Sequence, residues 1–355
     1  MKRTFVFPMV KKMASNSLYT VLMTQLKKSG ITKTYALNNL FPYWWDDSLK
    51  KDDGSVTLLI MYLSDLIDVE IDKFWNEDTN PKDELISEAK FKKTIDKTDE
   101  DVQLASALAI KMGIWATKAC KNDYFPLPIN PLAIREEILA NAKSKTVTLE
   151  GLLDYLWKNG IPVIYLADFP KGKDKKKPDA LCSSVVGRPF IVLTRKDDDP
   201  AKQQFWLAHE AGHIAFNHLE NEGTILDIDK NTQEENEANH FAYELNCGKI
   251  PENNWVCYNF NNFQSWVNSM ASNYLIEPSV FAQTFAYKTD NQYLPLVNKH
   301  FRKKGAIDLV RKKMLEYLDE NLIDREIWAG LLKMTGAYDL YYASADKEER
   351  ICAIS

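Results

Sequence analysis

The sequence predicts an α+β chain, mostly helical, with one small sheet beside a helix that carries metal-ligating residues and helical regions before and after it. Three observations lead there. Apolar residues recur at i, i+3, i+4 and i+7 in segments along most of the 355 residues, the period of a helix with one buried face. Short apolar runs bounded by turn residues fall at 162–166, 181–186 and 190–194, which fits strands. Four of the five histidines, His209, His213, His218 and His240, lie close together, and two belong to His209-Glu210-Ala211-Gly212-His213, an H-E-x-x-H signature.

Taken in order, residues 1–75 read as a helical domain. The pattern predicts a helix over 17–28, Gly30 ends it, and Thr32 opens a shorter helix through Leu40. After Pro42-Tyr43-Trp44-Trp45 and a polar turn at 50–54, the apolar stretch 56–69 reads as another helix, followed by 70–75. The arrangement resembles a degenerate helix-turn-helix, although no segment presents Arg, Asn or Gln as a recognition helix would. The first 45 residues also hold seven basic residues (Lys2, Arg3, Lys11, Lys12, Lys27, Lys28, Lys33) and no acid, on a chain whose net charge is −5. That skew points to a nucleic-acid contact at this end; a solvated basic surface is the alternative. Trp44 and Trp45 read as core or partner contacts rather than as base-stacking platforms.

Residues 76–147 read as a charged linker over 76–97 leading into helices at about 101–120 and 132–142. The core, 148–250, reads as helix 149–159, the three strands with a basic loop at 171–177 and a turn at Gly187-Arg188, helix 200–219 and an acidic helix at 233–246. The edge strand of such a sheet can hold a peptide extended by main-chain hydrogen bonds. Residues 251–355 read as a helical C-terminal region, with periodic segments near 263–272, 279–286, 307–318 and 325–334 to which no chemistry attaches.

The chemistry concentrates on the H-E-x-x-H helix. At 3.6 residues per turn, His209 and His213 project from one face at a spacing that suits two ligands of a tetrahedral zinc. Glu210 lies about 100° round, placed to take a proton from a water nucleophile and hand it to a leaving amine. A catalytic zinc takes three protein ligands. The extended form H-E-x-x-H-x-x-G-x-x-H is excluded, because positions 216 and 219 are Phe216 and Leu219. His218 reads as a helix-end residue favoured by the C-terminal dipole. The acidic helix has an apolar stripe of Ala238, Phe241, Ala242 and Leu245, and Glu237 borders it. Burying that carboxylate is costly unless it meets a cation, which makes it the candidate third ligand. His240 and Tyr243 on the same helix read as structural.

The segment Phe205-Trp206-Leu207-Ala208-His209-Glu210-Ala211-Gly212-His213-Ile214, followed by Glu237-Ala238-Asn239-His240-Phe241-Ala242, resembles the ImmA/IrrE family of zinc metallo-endopeptidases, whose pattern joins an H-E-x-G-H helix to an E-A-N-x-F-A helix. The likeness extends upstream to 152–157, 160–163 and 188–193, so it covers roughly 148–250. The resemblance implies a zincin-like peptidase core with His209, His213 and Glu237 as ligands of Zn2+ and Glu210 as the catalytic carboxylate, Glu234 being the fallback ligand. It also implies a protein substrate: a repressor, an antitoxin or another small regulator encoded nearby in a stress, mobile-element or phage-defence system.

No run of about 18 uncharged apolar residues occurs, which excludes a membrane span. The apolar stretch 5–10 is too short and Pro-interrupted for a signal peptide. Cys120, Cys182, Cys247, Cys257 and Cys352 are odd in number, scattered and without a C-x-x-C pair, as reduced thiols in a cytoplasm are. The expectation is therefore a cytoplasmic zinc endopeptidase that cleaves a protein partner. The rivals are a DNA-binding regulator, or a toxin or interaction protein, with a non-proteolytic zinc site; an intact Glu210 argues against both. Cys182 is a candidate regulatory residue, since a thiolate reaching the open metal position would exclude water; a small side chain packing in the sheet is the alternative. A chain beginning near residue 100 is expected to keep the zinc site and lose target selectivity.

Overall fold

The computed structural model describes residues 17–75, 81–83, 100–141, 145–166, 168–170, 180–219, 224–226 and 233–343. Lys2, Arg3, Lys11, Lys12, Cys352, nearly all of the expected 76–97 linker and the basic 171–177 loop lie outside them. The fold is α+β, mostly helical and zincin-like. Its helices begin where the sequence supplies caps: Ser17 accepts from the Thr20 amide ahead of helix Leu18–Lys28, Thr148 from Gly151 ahead of Leu149–Lys158, and Asp199 from Ala201 ahead of Pro200–Ala215. Gly30, at φ +80°, turns the chain out of the first helix. Thr32 caps a short turn, Lys33–Tyr35, that continues as a π-helical turn, Ala36–Leu40.

Four strands form one sheet in the order β1 (Val163–Tyr165), β3 (Arg188–Leu193), β2 (Ala180–Val185), β4 (Thr224–Leu226). β1 runs parallel to β3; β2 runs antiparallel to both β3 and β4. The β2–β3 turn centres on Val186 and Gly187, both at positive φ (50° and 73°), as a two-residue hairpin turn demands. Arg188 is therefore already in the strand, one residue beyond the expected turn.

The sheet lies between two helices. Phe190 faces helix Glu100–Ala119, where an added Cβ on Gly113 would stand 2.1 Å from its ring. Only glycine admits that ring against the helix backbone. On the other face lies the motif helix Pro200–Ala215, whose residues Ala201–Ala215 are all buried. Gly212 lets the glutamate helix, Gln233–Cys247, approach its backbone: a Cβ there would meet the Ala238 Cα at 3.0 Å and the Phe241 Cβ at 3.1 Å. That glycine brings the second helix within reach of the histidines.

One apolar cluster joins Leu22, Leu26, Leu59, Leu63 and Leu66 of the N-terminal helices to the sheet and to Val310, Met314, Leu331 and Leu332 near the C-terminus. A second gathers Trp255, Phe263, Phe281, Phe285 and Tyr293. Trp45 packs against the first cluster and stacks on Tyr19, with ring centroids 5.7 Å apart. Polar contacts cross the same interface: Trp115 Nε1 donates to the Leu66 carbonyl at 2.9 Å, and Lys111 pairs with Asp68 at 2.9 Å. A chain beginning near residue 100 lacks these core residues, which gives a physical reason to predict that it does not fold, where the sequence alone led to the expectation that its zinc site survives. Burying three such leucines stabilises by roughly 5–9 kcal/mol, comparable with the ~5–15 kcal/mol that holds a domain together. The shortened chain is expected to be insoluble or to melt without cooperativity in calorimetry; a cooperative transition with zinc bound would contradict this. Among the described residues, no helix is long and apolar enough to cross a membrane.

Candidate metal centre

His209 and His213, one turn apart, place their Nε2 atoms 3.1 Å from each other. The Glu235 carboxylate straddles them, Oε2 lying 3.2 Å from His209 Nε2 and Oε1 3.2 Å from His213 Nε2. All three side chains are buried, and one donor atom from each keeps the trio within 4.8 Å. A tetrahedral zinc with bonds of about 2.0–2.1 Å separates its ligand atoms by about 3.3 Å. Two imidazole nitrogens and a carboxylate facing each other at 3.1–3.2 Å form a donor set for a divalent cation, and the spacing fits zinc.

Burial raises the Glu235 carboxyl, but hydrogen bonds from His209 and His213 and their charge outweigh it, leaving the group lowered to about 2 from 4.5. Burial is the largest influence on His213 and lowers it from 6.5, against the pull of Glu235. Both shifts cost stability in acid. The neutral His213 ring contributes above pH 6.5 and loses that contribution as pH falls; ionised Glu235 contributes above 4.5 and loses it as pH falls toward 2. In the metal-free protein the urea midpoint is expected to hold down to about pH 6.5 and then decline. A midpoint flat to pH 4 would contradict the His213 assignment, and one flat on toward pH 2 the Glu235 assignment.

Glu237 does not reach the two rings. Its Oε2 accepts from His218 Nε2 at 2.9 Å and its Oε1 from Gln233 Nε2 at 2.8 Å. The carboxylate that the geometry brings to the histidines is Glu235, a correction to the expectation of Glu237 with Glu234 as fallback. Glu235 sits one turn before Ala238, the residue that receives Gly212, whereas Glu237 is Ala238's immediate neighbour and points about 100° away. The close approach at Ala238 argues against Glu237 but does not separate Glu235 from Glu234, which lies four residues before Ala238 on the same face. His218 also differs from expectation. The helix ends at Ala215, Asn217 turns back at φ +56°, and His218 returns with its Nδ1 2.9 Å from His213 Nδ1. Asn239 Oδ1 stands 3.1 Å from His209 Nδ1.

Glu210 is 2% exposed. Cys182 is fully buried on β2, and burial together with the Glu210 carboxylate pushes its thiol well above its ordinary range. The structure thus places a protonated Cys182 at Glu210 and not in the metal-binding cluster. His240 is exposed, and Tyr243 lies beside Phe205 with ring centroids 5.8 Å apart; the cluster includes neither.

Residues 158–247 match the peptidase M78 family model, the IrrE N-terminal-like domain. The match spans β1, β2, β3, the motif helix and the glutamate helix, and agrees with the likeness carried by the H-E-x-G-H and E-A-N-x-F-A patterns. No curated protein and no solved structure matches the chain.

Proposed function

We propose that the chain carrying this IrrE N-terminal-like domain is a zinc-dependent endopeptidase that cleaves a protein partner in the cytoplasm. The convergence of His209, His213 and Glu235 next to a buried Glu210 supports this reading above all else. Those three side chains would hold the metal. Zinc bound there supplies Lewis acidity toward the scissile carbonyl and a water nucleophile. Glu210 accepts the proton of the attacking water and returns it to the leaving amine. Its burial keeps bulk water from competing for that proton. β4 lies at the edge of the sheet, so its outer main-chain groups can pair with an extended substrate.

The resemblance suggests the target, a repressor or antitoxin-like regulator encoded nearby. The N-terminal region selects it, through protein or nucleic acid. The test is to coexpress the chain with the products of adjacent genes and look for a cut. Cleavage should stop with a zinc chelator, return with zinc and vanish in Glu210→Gln. Stoichiometric zinc with no Glu210-dependent cut in any of them would favour a regulator with a non-proteolytic metal site.

A further inference from the structure

We propose that His218 and Glu237 are positioning residues for His213, forming a chain of carboxylate, imidazole and imidazole that ends at the metal centre. The proposal rests on His213 being a metal ligand. Its Nε2 faces His209 and Glu235, so a neutral ligating ring must carry its proton on Nδ1. That N–H meets His218 Nδ1 at 2.9 Å. His218 Nδ1 therefore accepts, which leaves the His218 proton on Nε2, 2.9 Å from Glu237 Oε2. Every link has one donor and one acceptor, and the metal-facing lone pair of His213 determines the direction of all of them.

The local backbone builds this chain. Asn217 adopts φ +56°, a left-handed conformation that asparagine tolerates better than most residues, and folds the strand of chain after the motif helix back on itself. The His218 amide then donates to the His213 carbonyl at 2.9 Å. Phe216 stacks on the His218 ring, with centroids 5.6 Å apart and planes 18° from parallel, which fixes the imidazole plane. His218 is 7% exposed, and Gln233 holds the second oxygen of Glu237. The other ligand histidine has a different support, since His209 Nδ1 meets the neutral Asn239 amide oxygen. On its Nδ1 side His213 leads through His218 to the Glu237 carboxylate, which raises its basicity as a donor.

The experiment is competition for zinc between the full-length chain and a chromogenic chelator. Glu237→Ala and His218→Ala are each expected to weaken zinc binding about 10–100-fold, with one zinc per chain still bound at saturation. Glu237→Gln, whose amide oxygen can still accept from His218, should recover part of the loss. The double variant should bind no more weakly than His218→Ala, because Glu237 acts through His218. Metal-free melting temperatures report whether the buried His218 variant folds, and the Glu237 variants, near the surface, carry the test if it does not. Unchanged affinity in Glu237→Ala, or additive losses in the double variant, would overturn the chain while leaving the metal centre standing. Complete loss of zinc in Glu237→Ala with retention in Glu235→Ala would make Glu237 a ligand and overturn it as well. An unaltered chain that binds no zinc would remove the metal centre and the chain together.

Discussion

Replacing Glu210 by glutamine is expected to lower turnover of the protein substrate by about 10²–10⁴-fold, the range that a positioned general base contributes, while leaving one zinc per chain. Glutamine keeps the size of the buried side chain, so the packing under the motif helix is retained. What it lacks is a group that takes and returns a proton near neutral pH. Glu210 is also absent from the cluster of His209, His213 and Glu235, so metal content should not follow activity downward. Metal analysis beside a single-turnover cleavage assay separates the two. Turnover within about tenfold of the unaltered chain would show that the proton goes elsewhere, since a general base is worth at least ~10²-fold.

The helices were legible because their ends are chemical: Ser17, Thr148 and Asp199 supply the missing acceptors, and Gly30 supplies the left-handed exit. β4 was not, because a three-residue strand leaves no period to read. Helix Leu294–His300 was missed too; Pro295 in its first turn reads as a breaker unless the helix start is already known. The centre was legible as far as one helix could carry it. His209, Glu210 and His213 follow from periodicity within a single element, whereas the third carboxylate depends on how two helices cross. The acidic helix offers three glutamates in four residues, and only the packed helices show that Glu235 is the one facing both rings. His218 was misread for a related reason: extending the motif helix to residue 219 swings its ring away, and only the turn at Asn217 brings it back.

Glu235→Ala is expected to empty the metal site and reduce cleavage to background. The substitution removes the one formal negative charge among the three converging side chains and leaves two imidazoles whose Nε2 atoms are 3.1 Å apart. Two neutral ligands one helical turn apart hold a divalent cation far less tightly than the complete set, so the loss should exceed the ~10–100-fold assigned to a supporting residue. Zinc titration of Glu235→Ala and Glu237→Ala side by side reads the difference directly. The same variant carries a second signature in the metal-free protein. With the carboxyl gone, the stability lost between pH 4.5 and about 2, where the depressed Glu235 group would have been protonated, should disappear from the unfolding profile. Loss of zinc with the acid limb unchanged would mean that Glu235 binds metal without pairing to the rings in its absence. Retention of stoichiometric zinc at unaltered affinity would remove Glu235 from the ligand set, and with it the geometry on which the peptidase mechanism is built.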